Sequence, residues 1–242
     1  MILLSKVFFW ARLIICFIFA FFIIKFLIFI KFTSNKKISK SYLRPILDFI
    51  TRYGKFAFLI LFLISLYRIA DVVMGVMANI FYLEKGYKIS EIATFSKFFG
   101  VFATIFGGFI GGYCSYKFGT MKALFFGALV AALSNLLFAW LAISPISINF
   151  LIAVITADNI SSGFAGAAFV IYLSGLTSIK FTATQYALFS SIMLFLPKLI
   201  AGYAGSWVDV MGYAYFFSLT ALLGLPVLYL IIWIGRVAPI RN

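Results

Sequence analysis

Histidine is absent from this chain of 242 residues. Without imidazole there is no serine–histidine triad, no His-Glu-x-x-His zinc helix and no histidine proton relay. Cysteine is nearly absent. Cys16 and Cys114 fall in or at the edge of different apolar runs, which argues against a disulfide and more strongly against a thiolate metal site. Acids are scarce, with 6 Asp and Glu against 20 Lys and Arg. No Gly-x-x-x-x-Gly-Lys-Ser/Thr loop occurs, so the chain by itself is no ATP-driven pump. No nucleophile–base pair and no metal-ligand spacing is left to support an enzyme, and no cofactor or metal is expected.

What is present is apolar surface. Apolar residues make up 65% of the chain, and its mean hydropathy is +1.15. Soluble domains carry about 45–50% apolar residues, and none of this size could hide the excess. A bilayer accepts it. A helix crosses the hydrocarbon core with roughly 20 apolar residues, and seven runs qualify: 13–32, 56–83, 92–113, 123–143, 148–173, 185–204 and 213–234. The first is too long for a signal peptide, Lys25 interrupts it and no small-residue cleavage site follows, so it reads as a true span. The predicted fold is an all-α integral membrane protein.

The net charge of +14 would suggest nucleic acid in a soluble protein. Here the charge lies between apolar runs and reads as a topology signal, with membrane lipid rather than nucleic acid as the partner. Lys31, Lys36, Lys37, Lys40, Arg44, Arg52 and Lys55 crowd the 31–55 loop. Placing that loop in the cytoplasm also brings Lys117, Lys122, Lys180, Arg236 and Arg241 inside, and leaves only Lys6, Arg12, Lys85 and Lys88 outside. The expectation is a multi-pass inner-membrane protein with its N-terminus periplasmic and its C-terminus cytoplasmic. Four segments follow: a tail and first span (1–32), a basic cytoplasmic linker (33–55), a six-helix bundle (56–235) and a cytoplasmic tail (236–242). Within the linker, Leu43, Ile46, Leu47 and Ile50 recur at helical spacing, with Arg44, Asp48 and Arg52 opposite and Pro45 suited to a first turn. This predicts a short amphipathic helix on the membrane face.

Charges at membrane depth cost about 2.5–3.5 kcal/mol each on insertion scales, so each needs a reason. Arg68 and Asp71 are three residues apart near the middle of the second run and can pair. Gly75 and Asn79 continue their stripe. Such a stripe lines a cavity or serves as a structural pair at a helix interface. Asp158 and Asn159, followed by Ser161, Ser162, Gly163 and Gly166, mark the fifth run. Asp158 has no cation on its own helix. It must find one across the bundle, face water or carry a proton. Lys97 is shallow enough to snorkel, as is Lys25. Lys198 follows Pro197, whose freed carbonyl neighbouring helices can satisfy. Gly107, Gly108, Gly111 and Gly112 form overlapping small-xxx-small patterns that read as close helix packing, and Gly202 and Gly205 read the same way.

The last six runs divide into two sets of three. Each set opens with an acid-bearing helix, Ala70-Asp71 and Ala157-Asp158, which ends near a Tyr-Leu pair, Tyr82-Leu83 and Tyr172-Leu173. Repeats of three helices build many secondary carriers. Further stretches stand out. They are Arg44-Pro45-Ile46-Leu47-Asp48-Phe49, Leu66-Tyr67-Arg68-Ile69-Ala70-Asp71, Ser96-Lys97, Phe181-Thr182-Ala183-Thr184-Gln185-Tyr186-Ala187-Leu188, and Gly205-Ser206-Trp207-Val208-Asp209 with Gly212-Tyr213. Together they resemble the C-terminal half of the AmpG-type permeases, muropeptide carriers of the major facilitator superfamily, over about residues 44–234. Residues 1–43 match in position only. The superfamily loop pattern is decayed at 112–119, where Tyr116 replaces the acid and Lys117 keeps the basic position.

The resemblance implies a six-helix C-terminal transporter lobe plus one preceding helix. It also implies proton-driven symport of a small glycopeptide solute, an anhydro-muropeptide, into the cytoplasm for peptidoglycan recycling. Asp71 and Asp158 become candidate proton or substrate residues. Arg68 and Lys97 become partners for an acid or a substrate carboxylate, with Asn79 and Asn159 on the polar path. Thr182, Ala183, Thr184, Gln185 and Tyr186 match a cytoplasmic loop motif. A complete carrier has two such lobes, so the expectation is a half or truncated form working with a separately encoded N-terminal lobe. The competing reading is a non-transporting membrane partner or relic lobe.

Overall fold

The computed structural model describes residues 43–237, and every regular element among them is helical. The predicted first span with Lys25, the start of the basic loop and the tail from 238 lie outside the described residues. The chain divides into two compact units, 1–48 and 49–242. The second holds the bundle.

Helix α1 (Arg44–Tyr53) is the predicted amphipathic helix. Its apolar residues Ile46, Leu47 and Ile50 stay exposed, as a lipid-facing stripe would. The contact with the bundle is made instead by Phe49, which is buried edge-on against Phe189 at 5.0 Å. A single turn leads to α2 (Ala57–Leu66) and α3 (Ile69–Lys85). The expected single helix over 56–83 is therefore broken at Tyr67–Arg68. Tyr67 places its hydroxyl 3.2 Å from the Leu124 carbonyl and stacks its ring on Phe169 at 4.4 Å.

A short helix α4 (Ile89–Ile92) and a π-helical stretch (Ala93–Phe99) run into α5 (Gly100–Phe118). Then come α6 (Thr120–Ile143), α7 (Ile148–Leu176), α8 (Thr182–Ala201), α9 (Ala204–Leu222) and α10 (Gly224–Val237). Six helical segments of the described residues are long and apolar enough to cross a membrane: Arg44–Lys85, Ile89–Phe118, Thr120–Ile143, Ile148–Leu176, Thr182–Ala201 and Ala204–Val237. They contain five of the six predicted spans from 56 onward, and the remaining one, 185–204, runs three residues past Ala201. Helix α9 bends at Gly212, where φ 76° and ψ 166° suit glycine alone. The bend falls one residue before Tyr213, where the sequence reading starts the last span.

Helix α6 is the hub and touches α3, α5, α7, α9 and α10. Its Ala123, Gly127, Ala128, Ala131 and Ala132 keep it slender and buried, and Phe138 wedges between Tyr82 and Phe217. Lipid tails are as apolar as leucine, so close packing and hydrogen bonds must hold such helices together. The α5–α7 seam does this with glycine. A Cβ on Gly107 would overlap the Ile160 carbonyl, one on Gly111 the Phe164 carbonyl, and one on Gly163 the Thr104 carbonyl. The packing reading does not extend to every glycine, since Gly112 and Gly205 have nothing within 4 Å of an added Cβ.

The ends of the bundle differ in charge. Arg52 donates to the Leu176 carbonyl at 3.0 Å, and Gly235 lies beside Met121. These contacts put Arg52, Lys117, Lys122, Lys180 and Arg236 at one end. At the other, Lys85 donates to the carbonyls of Ala142 and Ser144 at 2.9 and 2.7 Å. The Tyr213 hydroxyl donates to Glu84 at 2.9 Å. Glu84, Glu91 and Asp209 therefore share that second end with Lys85 and Lys88.

Candidate functional site

Arg68 stands in the break between α2 and α3, with φ −98° and ψ 13°. Leaving the helical path at this residue lets one side chain serve two helices. Its Nη2 lies 3.3 Å from Asp71 Oδ2, one turn on, and donates to Ser162 Oγ of α7, also at 3.3 Å. The side chains of Arg68 and Asp71 are 24% and 14% exposed. Arg68 Nε is buried without a partner among the described residues, so Asp71 holds the guanidinium by one nitrogen rather than by a two-pronged fork.

Asp158 lies one turn before Ser162 on α7. Its carboxyl group lies close enough to Ser134 of α6, Asp71 and Arg68 to interact with each. Ser161 donates to the Asp158 carbonyl at 2.8 Å and lies 3.1 Å from Ser134 Oγ. The two acids that the sequence reading set on the opening helices of its two triplets are thus brought to one place. A single guanidinium there touches the Asp71 carboxylate and stands within charge range of the Asp158 carboxyl group. Beyond Asp71, the stripe continues through Gly75 and Asn79, both exposed, so the charged seam opens onto the outer surface of α3.

No family model matches the chain. Similar curated proteins come from Rickettsia. AmpG 4 of Rickettsia felis, named as a transporter, is 36% identical over 194 residues, which is 80% of this chain and 46% of the relative. AmpG 4 of Rickettsia conorii is 35% identical over 193 residues, with the same two coverages. AmpG 1 of Rickettsia prowazekii is 36% identical over 175 residues, 72% of this chain and 39% of the relative. The chain is a homologue of the AmpG-type permeases. It spans about half the length of the curated relatives it matches. With its membrane-length helices, this makes it a multi-pass membrane protein on the major facilitator pattern.

Other candidates of this AmpG homologue lie apart from the charged seam. Asn159 points to α5. Its Nδ2 donates to the Ile155 carbonyl at 2.8 Å, and its Oδ1 is 3.0 Å from Thr104 Oγ1. Gly100 leaves room for that amide, since an added Cβ would stand 3.1 Å from it. Lys97 is exposed on the π-helical stretch, and Lys198 is exposed on α8 beside Ser190 and Ser191. Neither is brought to Arg68.

The Thr182–Tyr186 motif forms a joint. Gln185 is fully buried. Its Oε1 accepts from Arg52 Nη2 at 3.0 Å and from the Ser178 amide at 2.7 Å, while Thr182 donates to the Ser178 carbonyl at 2.8 Å. Ala183 and Thr184 are exposed and Tyr186 is half-buried. The joint ties α1 to the α7–α8 turn. Fourteen residues separate Ser162 from Leu176, roughly 21 Å along a helix, so the motif does not touch the charged seam.

Ser134, Asn135, Ser161 and Thr104 matter more in the AmpG-like lobe than the sequence reading gave them credit for. Asn135 is fully buried and its amide has no partner among the described residues. Ser134-Asn135, a polar pair in the middle of an apolar run, was the available signal.

Proposed function

We propose that this lobe is one half of a proton-coupled secondary carrier, and that its solute is an anhydro-muropeptide. The observation that carries the reading is the charge count at the seam: one guanidinium, Arg68, facing two carboxyl groups, Asp71 and Asp158. Buried charge must be balanced, and one proton balances this trio. A carboxyl that gains and loses that proton would couple its movement to a change in the seam. Arg68 is the group for a carboxylate on the solute, because Asp71 leaves part of its donor fork unused. Asn79 would extend the polar path at the open end of the stripe. The second lobe would close the seam from the outside, since carriers of this build enclose their site between two repeats. The basic end would face the cytoplasm of a bacterial inner membrane.

The test is uptake of labelled GlcNAc–anhydroMurNAc, with and without its peptide, by bacteria lacking their own carrier. The cells make the full chain alone or with the first lobe of a full-length relative. The reading expects uptake with the pair, and its collapse when a protonophore removes the proton gradient. Uptake that survives the protonophore would remove proton coupling. No uptake under any pairing would favour a non-transporting partner.

A further inference from the structure

Between α6 and α10, at the end of the bundle that gathers the basic residues, runs an open groove of about 290 Å³. Phe125 and Phe126 form one wall and Ile231 and Ile232 the other, with Lys122 and Gly235 at the mouth. Gly235 keeps the mouth wide, since an added Cβ would meet only the Met121 methyl at 3.7 Å. Arg236 follows it, and both Lys122 and Arg236 are exposed. No ion pair involves either residue among the described residues. Glu84, Glu91 and Asp209 lie at the far end of the bundle. The groove begins at the end of α6 and reaches Phe126 about six residues in, roughly 9 Å deep. That is the depth at which a headgroup gives way to an acyl chain.

We propose that this groove seats an anionic phospholipid. Its phosphate sits between Lys122 and Arg236, and one acyl chain lies along Phe125, Phe126, Ile231 and Ile232. Charge complementarity selects the occupant. Two cations without acid partners among the described residues, at the mouth of a trough between spanning helices, favour a headgroup of net negative charge over a zwitterionic one. A free phosphate would satisfy the cations and leave the aromatic trough empty. The site lies two turns from Ser134 along α6 and does not depend on the transport reading.

The experiment uses the full chain purified in non-ionic detergent. Native mass spectrometry counts bound lipid, and thermal unfolding follows added phosphatidylglycerol, phosphatidylcholine or glycerol 3-phosphate. Phosphatidylglycerol is expected to stay bound and raise the melting temperature. Phosphatidylcholine should bind several-fold less, and glycerol 3-phosphate should give no protection. Lys122→Gln and Arg236→Gln should each weaken phosphatidylglycerol about fivefold. Gly235→Leu fills the trough with both charges intact and should weaken it as well, while Lys88→Gln at the far end leaves it unchanged. Circular dichroism establishes that each variant is folded. Equal binding of phosphatidylcholine, full binding by the Lys122→Gln/Arg236→Gln variant or by Gly235→Leu, or protection by glycerol 3-phosphate alone would overturn the proposal.

Discussion

Arg68 answers two carboxyl groups, Asp71 at 3.3 Å on its own helix and Asp158 from α7. Unequal numbers make the three residues unequal in effect. Removing Asp71 leaves one cation with one anion, whereas removing Arg68 leaves two acids with no cation. Arg68→Gln should therefore lower stability more than Asp71→Asn, by about 2 kcal/mol after allowance for partial exposure. Adding Asp71→Asn to Arg68→Gln should recover part of that loss. Thermal unfolding of the four proteins in detergent checks this, and equal losses from the two single substitutions would mean that Arg68 serves Asp71 alone. The Arg68–Asp71 pair was legible in the sequence, because residues three apart share a helix face. The approach of Asp158 was not. It depends on how α3, α6 and α7 cross, and Ser134, which stands near its side chain, belongs to a run whose other residues are mostly apolar.

Helices α5 and α7 meet backbone to backbone, and the glycines that allow it can be told from those that do not. Ala at Gly107, Gly111 or Gly163 would drive a methyl into a carbonyl of the other helix. Each should cost at least about 1–3 kcal/mol. Ala at Gly112 has open space and should leave the melting temperature unchanged or slightly higher. Fluorescence-detected size exclusion after a temperature series separates the two groups, and equal effects at Gly111 and Gly112 would contradict the seam. Gly212→Ala should cost about 1–3 kcal/mol for a different reason, the strained backbone it would have to adopt. The small-xxx-small pattern was readable in the sequence. Which glycines it buries was not, because that is set by the register of α7 against α5. The break at Tyr67–Arg68 was hidden too, since no Pro or Gly marks it, and only the longer-than-needed run over 56–83 hinted at it.

Composition was enough to find six of the crossings, because in a bilayer length and hydropathy nearly determine a span. The arrangement of those crossings around α6 came from small residues that composition does not rank. Segregation of charge between the two ends agrees with the loop-by-loop count of Lys and Arg, and it makes sidedness testable. In a chain carrying Cys16→Ser and Cys114→Ser, Lys180→Cys should react with a membrane-impermeant maleimide only in inverted vesicles. Lys88→Cys should react in intact spheroplasts. The opposite pattern would turn the lobe over, and the muropeptide reading with it.

The central claim is that one cation and two acids in this lobe form the working centre of an AmpG-type carrier. Its most direct test is proton-driven uptake of labelled anhydro-muropeptide by the chain paired with a relative's first lobe. Wild type is compared with Asp71→Asn, Asp158→Asn and the two together, at matched amounts in the membrane. The account predicts that each single variant loses coupling to the proton gradient and that the double variant falls to the background of cells without the chain. Undiminished, gradient-driven uptake by the double variant would contradict it.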